Sequence, residues 1–288
     1  MSSAQEPCKN KGDLKMSMLR KTLTKFAGNR FTQDFLEKAV AGAQFWMGFG
    51  CGASVESSGE SAVLDFVYQK QKAPYCIFDV GSNQGQYLKL ILGIFPEDNL
   101  SVHCFEPSSY TFGILKSSVD PKVKSKVKLN NLALGKIEGE LRLHYNKAGS
   151  ALASLTKRRL DHFGITFDDS EVVRVDTVDN YCNKNNVQQI DLLKLDVEGH
   201  ELDVLVGASE MFLKQAINVV SFEFGGCNID TRTFFQDFYY FFNNINMSLF
   251  RITPAGYLYP IKSYKEVFEQ FRPTNYLAIK NDLTARND

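Results

Sequence analysis

The residues best equipped for chemistry lie together in one stretch, IDLLKLDVEGHELDVLVGA, from Ile190 to Ala208. Leu192 to Leu195 reads as a buried strand, the chain turns at Val197 to Gly199, and Leu202, Leu205, Val206 and Ser209 follow at helical spacing. Lys194, Asp196, Glu198 and His200 therefore crowd into one strand and its carboxyl edge. Ligands of open α/β sheets bind outside the carboxyl ends of the strands, so these groups are expected to face a crevice. The two-residue period of a strand sets Lys194 and Asp196 on one side. A lysine in a core strand is costly unless paired, and Asp196 is its expected partner. A carboxylate or imidazole so placed can serve as a general base, and charged neighbours can orient what it acts on.

The second such stretch is FDVGSNQGQY, from Phe78 to Tyr87. Tyr75, Cys76, Ile77 and Phe78 suit a strand buried on both faces, and Leu88, Ile91, Leu92 and Phe95 recur at helical spacing. Gly81 and Gly85 flank Asn83 in a turn that lets backbone approach something bulky, and the helix behind it is expected to point free N–H groups into the same space. This order describes a nucleotide-type cofactor site. A dinucleotide fingerprint requires G-x-G-x-x-G, whereas D-x-G-x-N-x-G places Asn83 where the second glycine belongs. The pattern instead resembles the first motif of class I S-adenosylmethionine-dependent methyltransferases. That resemblance assigns Asp79 and Gly81, with Asn83 and Gly85 in the turn, to the amino-acid end of the cofactor. Val102 to Phe105 forms the next apolar strand and ends in Glu106-Pro107, where a Rossmann-like fold puts the carboxylate that takes ribose hydroxyls. Glu106 is the expected ribose ligand, with Pro107 beside it, and Asn131 to Ala133 are expected to border the adenine.

The elements that must position these groups alternate strand and helix. Further strands are expected at Leu129 to Leu134, Val172 to Val175 and Asn218 to Phe224, with helices at Tyr110 to Val119 and Asp176 to Lys184. Glu140 to Asn146 alternates as a half-buried antiparallel strand, and the small polar loop from Lys147 to Thr156 can line a substrate opening. Phe234, Phe238, Phe241, Phe242 and Ile245 form an aromatic helical stripe expected to be core. Leu249 to Thr253, Tyr257 to Tyr259 and Asn275 to Ile279 complete the strands, the last as an antiparallel pair at the sheet edge. The fold class is thus α/β: a Rossmann-like, mostly parallel sheet with an antiparallel C-terminal edge strand.

At 288 residues and 44% hydrophobic, the chain can bury one sizeable core, or a core plus a small appendage. Its 33 basic residues balance 33 acidic ones, so no net field recruits nucleic acid. The lysines of KVKSKVK from Lys122 lack interleaved aromatics for base stacking and read as a solvated strand entrance. The six cysteines form no C-x-x-C pair, which suits a reduced, cytoplasmic setting, and no secretory signal opens the sequence. Lys15 to Lys38 is basic with a helical pattern. Ala39 to Val55 is apolar but interrupted by Gln44 and glycines, and falls short of the roughly 20 apolar residues of a membrane span. Residues 1–59 are expected to form a helical cap or lid on a methyltransferase domain, 60–288, with Gly50, Cys51 and Gly52 bending over the cofactor mouth. A peripheral membrane or partner contact is the other use of this basic segment.

DVGSNQG from Asp79, FEP from Phe105, NNLALG from Asn130 and DLLKLDVEGHELDVLVGA from Asp191 together resemble the FkbM family of S-adenosylmethionine-dependent methyltransferases. The resemblance spans Glu60 to Lys280, and K-x-D-x-E-G-x-E from Lys194 is its most specific part. It implies O-methylation of a hydroxyl on a sugar, glycolipid or polyketide-type product. Transfer from a sulfonium is an in-line displacement, so the acceptor oxygen must be held at roughly 3 Å from the methyl carbon. His200 or Asp196 is the expected base, Glu198 orients the acceptor and Lys194 fixes Asp196. A competing arrangement sets Mg²⁺ on Asp196, Glu198 and Glu223. Two other functions use a similar sheet: a nicotinamide-dependent oxidoreductase, and a catalytically silent binding protein.

Overall fold

Runs of buried apolar residues bounded by turns form the strands of a central sheet, seen here in a computed structural model that describes residues 21, 24–52 and 58–284. The expectations for Lys15 to Arg20, Ala53 to Val55 and Cys8 lie outside the described residues. The chain divides into two compact units, Met1–Trp46 and Met47–Asp288. In the first, helix α1 runs from Arg30 to Met47, so the helical pattern continues well past Lys38. Met47–Gly52 falls in the second unit, which also holds the sheet. No helix among the described residues is long and apolar enough to cross a membrane.

In the second unit α2 (Ser61–Lys70) leads into β1 (Tyr75–Val80), α3 (Gln86–Ile94), β2 (Leu100–Phe105), α4 (Ser109–Ser118) and β3 (Val127–Asn130). Two short-range additions follow, β4 (Ala133–Leu134) and β5 (Gly139–Tyr145), then β6 (Asp169–Asp176) and α5 (Val178–Asn185). The chain returns to the sheet with β7 (Leu192–Leu195), α6 (Glu201–Val206), α7 (Ser209–Leu213) and β8 (Val219–Phe224). It continues through α8 (Cys227–Thr231), α9 (Phe235–Asn244), β9 (Met247–Ile252), β10 (Leu258–Pro260), β11 (Thr274–Lys280) and α10 (Asn281–Thr284).

The main sheet has eight strands in the order β10-β9-β11-β8-β7-β1-β2-β3. Strands β3, β2, β1, β7 and β8 are parallel, and β11 joins β8 and β9 antiparallel to both. The antiparallel C-terminal pair is therefore β9–β11, with β11 inside the sheet and β10 at its edge. Chain order reverses direction between β1 and β7, which opens a crevice at their carboxyl ends. One apolar layer packs Ile77, Val102, Leu192 and Leu277 against α2, α3 and α4. The other packs Phe78, Phe105, Leu193, Phe222 and Tyr276 against α5, α6, α7 and α9.

The stretch expected as one strand, Leu129 to Leu134, is split between two sheets. β3 ends at Asn130, and β4 pairs with β6 in a separate three-stranded sheet, β4-β6-β5. The break has a local cause: Asn131 turns its Nδ2 onto the carbonyls of Glu106 and Pro107, at 2.9 and 3.0 Å. The lysine run opens as a helical turn, Pro121–Val123, because the Asp120 side chain accepts from the Lys122 N–H at 2.9 Å. In the aromatic stripe Phe238 and Phe242 are core, whereas Phe234 is 48% exposed; the rings of Phe238 and Tyr276 stack on Phe222 at 4.7 and 5.5 Å. Such pairs add about 0.5–1.5 kcal/mol each beyond area burial. Cys51, Cys76, Cys104, Cys182 and Cys227 are free thiols.

Candidate active site

A cavity of about 1020 Å³ opens at the carboxyl ends of β1, β2, β7 and β8. Of the residues singled out in the sequence, Gly81, Asn83, Glu106, Pro107, Ala133, Lys194, Asp196 and Glu198 line it. Asp79, Gly85, Asn131 and His200 are not among the lining residues.

Asp79 and Lys194 are register partners on β1 and β7, so their side chains share a sheet face. Lys194 Nζ lies 3.5 Å from Asp79 Oδ1 and 3.3 Å from Asp196 Oδ2, and 5.3 Å from the centre of the Tyr87 ring. Asp79 is fully buried, and Lys194 nearly so. Burial would strip the lysine of its proton, but Asp196, Asp79 and Glu60 outweigh it and raise its pKa. Burial likewise raises Asp79, against the opposing pull of Lys194. Lys194 thus keeps its charge and holds Asp196, whose side chain is 46% exposed toward the cavity mouth. Asp79 sits behind the cavity wall, against Lys194.

Gly81 has φ +82°, and a Cβ there would overlap the carbonyl oxygen of Asp196, so only glycine lets the β1 turn meet the end of β7. The turn that precedes the helix spends its own N–H groups inside the protein. Gly81 and Ser82 donate to Phe105 O at 3.0 Å, Asn83 to Glu106 Oε2 at 3.0 Å, and Gly85 to Ser82 O at 2.9 Å. Four donors that would grip a pyrophosphate are therefore spent inside the protein, which disfavours a dinucleotide. Gly85 serves helix packing instead: a Cβ there would meet Leu115 Cδ1 at 3.0 Å. Asn131 likewise supports rather than lines, by bonding the Glu106–Pro107 turn.

Glu106 accepts from Asn83 N–H and from Ser108 N–H at 2.9 Å, which aims its carboxylate into the cavity mouth beside Pro107. Burial pushes its pKa up to about 7, against the two backbone donors. The buried Asn83 Oδ1 and Tyr87 hydroxyl have no protein hydrogen-bond partner, and both residues line the cavity.

Glu198 follows β7 in the left-handed region, φ +53°, next to Gly199 at +103°. The turn is held by Glu201, buried, which accepts from Val197 N–H at 3.0 Å and Gly199 N–H at 3.2 Å. Glu198 Oε2 pairs with Arg158 Nη1 at 2.5 Å, and Arg158 Nε lies 3.6 Å from Asp230 Oδ2. Burial and the neighbouring Asp196 push the Glu198 carboxyl up to about 8, while Arg158 pulls it down. The loop carrying Arg158 is pinned to the same turn, Ser154 donating to Glu198 O at 2.8 Å. Ser150 to Leu155 line the cavity, as the sequence suggested for this loop. His200 does not reach it. Its Nδ1 meets Asp203 Oδ2 at 2.8 Å and its Nε2 meets Thr156 Oγ1 at 3.0 Å, so both ring nitrogens are engaged in holding the loop.

Among the described residues no group of three or more His, Cys, Asp or Glu side chains is arranged to hold a metal ion, so the Mg²⁺ arrangement on Asp196, Glu198 and Glu223 finds no support. Sequence reasoning missed Glu60, Tyr87, Arg158, Asp230 and Asn275, all of which line the cavity. Arg158 sits in TKRRLDHF, where nothing in spacing separates it from a solvated loop cation.

The switch-point cavity, the glycine turn and the carboxylate after β2 define a class I methyltransferase-type site. Residues 79–258 match the methyltransferase FkbM domain model, and the chain belongs to that family. It is 26% identical over 153 residues to the 2-O-methyltransferase NoeI of Sinorhizobium fredii, a match covering 50% of this chain and 61% of NoeI. A methyltransferase FkbM from Methylobacillus flagellatus KT superposes with TM-score 0.44 at 12% identity, over 85% of this chain and 60% of that one. An O-methyltransferase from Bacillus cereus, in complex with SAH, gives TM-score 0.42 at 11% identity over 90% and 97%. S-Adenosylmethionine is the family's cofactor, and the unpartnered Asn83 and Tyr87, the Gly81 turn and Glu106 fit it.

Proposed function

We propose that this protein is an S-adenosylmethionine-dependent O-methyltransferase acting on a hydroxyl of a sugar, glycolipid or polyketide-type product. Gly81 and Asn83 flank the amino-acid end of the cofactor, with Asp79 acting through Lys194. Glu106 takes the ribose hydroxyls, and Pro107 and Ala133 border the adenine. When bound, the cofactor supplies the electrophilic methyl group. The chain's own work is to seat an alcohol opposite it and accept the alcohol's proton. Asp196 is the base, Glu198 with Arg158 orients the acceptor, and Lys194 fixes Asp196.

One observation carries this reading. Asp196 is the carboxylate that faces the cavity from the end of β7, is held by a buried lysine, and packs its backbone against the cofactor turn. A base held this way adds about 10²–10⁴-fold to proton removal. Asp196→Ala is therefore expected to bind S-adenosylmethionine within about threefold of wild type by calorimetry, and to lose about 10²-fold or more in labelled-methyl transfer to a panel of sugar and polyketide hydroxyls. Normal turnover by this variant would remove Asp196 from the role.

A further inference from the structure

Helix α1 begins where Asn29 caps it, the Asn29 Oδ1 accepting from Thr32 N–H at 3.0 Å. Advancing about 100° per residue, the helix sorts its side chains by kind. Phe31, Phe35, Leu36, Val40, Phe45 and Trp46 fall on one continuous arc of about 220°, and Arg30, Gln33, Asp34, Glu37 and Gln44 fill the remainder. The arc holds one charge, Lys38, next to Phe45 near its rim, where a lysine can lift its ammonium along its own stem. A globular protein ordinarily buries such a face. Here Phe31 is 84% exposed, Trp46 78% and Phe35 64%, and among the described residues of α1 only Thr32 is buried. Charge is segregated along the chain as well. Residues 1–30 carry seven basic side chains, from Lys9 to Arg30, against Glu6 and Asp13, a net charge of +5 in a chain that is neutral as a whole. Four of those cations, Arg20, Lys21, Lys25 and Arg30, fall in the run that leads into α1, with no acid among them.

We propose that α1 lies in the headgroup plane of a bilayer containing anionic phospholipid, its aromatic arc among the upper acyl chains and the basic run before it on the headgroups. The width of the arc and the sign of the charge select this occupant. A protein groove grips a helix through a stripe at i, i+3, i+4 and i+7, and Phe45 and Val40 stand on opposite rims of the arc, too far around the helix to enter one groove together. Acyl chains cover the whole arc. A second copy of this chain would bring two strongly basic segments together, and like charges set side by side oppose association. Apolar insertion and a polybasic patch are the two signals that stable anchoring to a membrane surface requires, and this segment has both.

Trp46 is the chain's only tryptophan, so its emission reports this helix alone. The full chain is titrated with vesicles of phosphatidylcholine and of phosphatidylcholine mixed with phosphatidylglycerol. The anionic vesicles are expected to shift the emission to the blue, and acyl-brominated lipid to quench it. Raising ionic strength from about 0.1 M to about 1 M shortens screening from about 10 Å to about 3 Å and should weaken partitioning about tenfold or more. Lys21→Gln with Lys25→Gln removes two cations and should weaken it about 30-fold. Phe31→Ser with Phe35→Ser should weaken it about tenfold or more, whereas Leu213→Ser, at an exposed apolar residue of α7, should leave it unchanged. Thermal melts confirm that each variant is folded, and the comparison of vesicles and of salt needs no variant. The proposal is overturned if neither vesicle moves the Trp46 emission, if neutral and anionic vesicles bind alike, or if the phenylalanine variant binds as wild type. It is equally overturned if sedimentation velocity without lipid shows a dimer that shields Trp46, which would assign the face to a second copy.

Discussion

Gly81 at the end of β1 lies directly against the backbone of Asp196 at the end of β7. The turn proposed to border the cofactor and the strand end that carries the proposed base are packed as one piece. Gly81→Ala must displace the Asp196 carbonyl as well as adopt φ +82°, so it is expected to lower stability by about 2 kcal/mol and to weaken S-adenosylmethionine binding and methyl transfer together. Thermal melts and calorimetry on the same preparation check this. Wild-type affinity would mean that the two strand ends move independently.

With Glu106 proposed as the ribose ligand, cofactor binding is expected to depend on pH. Its carboxyl ionises near 4.5 when exposed in the unfolded chain and near 7 in the folded protein. The folded state therefore holds the extra proton between these values, so this group's contribution to stability is full below about 4.5, falls as pH rises to about 7, and is then constant. With Glu106 as the proposed ribose ligand, cofactor affinity is expected to move the opposite way, because hydroxyls donate to a carboxylate and not to its protonated form. Affinity for S-adenosylmethionine is expected to rise between pH 6 and 8, and Glu106→Gln to bind weakly with no such rise. Calorimetric titrations across that range decide it.

Arg158 holds Glu198 and Asp230 together, and its removal leaves two buried carboxylates without their cation. Arg158→Ala is expected to reduce kcat/KM by about tenfold or more. With its lowering influence gone, the ionisation of Glu198 moves above about 8, so any alkaline limb of the rate profile that reports Glu198 shifts to higher pH. Arg158→Lys should recover part of the shift, which a purely structural loss would not show. Rate–pH profiles of the variants are the measurement.

Glu198 already has one carboxylate oxygen committed to Arg158, and the described carboxylates form no metal-holding group. Methyl transfer is expected to survive exhaustive chelation and to gain nothing from added Mg²⁺, as read by labelled-methyl incorporation.

Much of this arrangement is legible in the sequence because it obeys local rules. The apolar run before Gly81, the helical period after it, and the Lys194–Asp196 pairing all follow from strand and helix periodicity. The residues that stand off the cavity do so for a common reason, which is that a neighbour distant in sequence engages them. Gly85 is taken by Leu115, Asn131 by the Glu106–Pro107 carbonyls, and His200 by Thr156. Arg158 was invisible because its partners, Glu198 and Asp230, lie 40 and 72 residues away in sequence. Glu223 and Asn275 meet only through the register of β8 with β11.

Strand β11 lies between β8 and β9 although it follows both in sequence. During synthesis two strands with open edges must wait for the partner that joins them, a non-local closure that is slow and leaves the intermediate prone to association. Asn275 travels on that late strand. A polypeptide released short of Thr274 would thus expose an incomplete sheet and lack one wall of its own cavity.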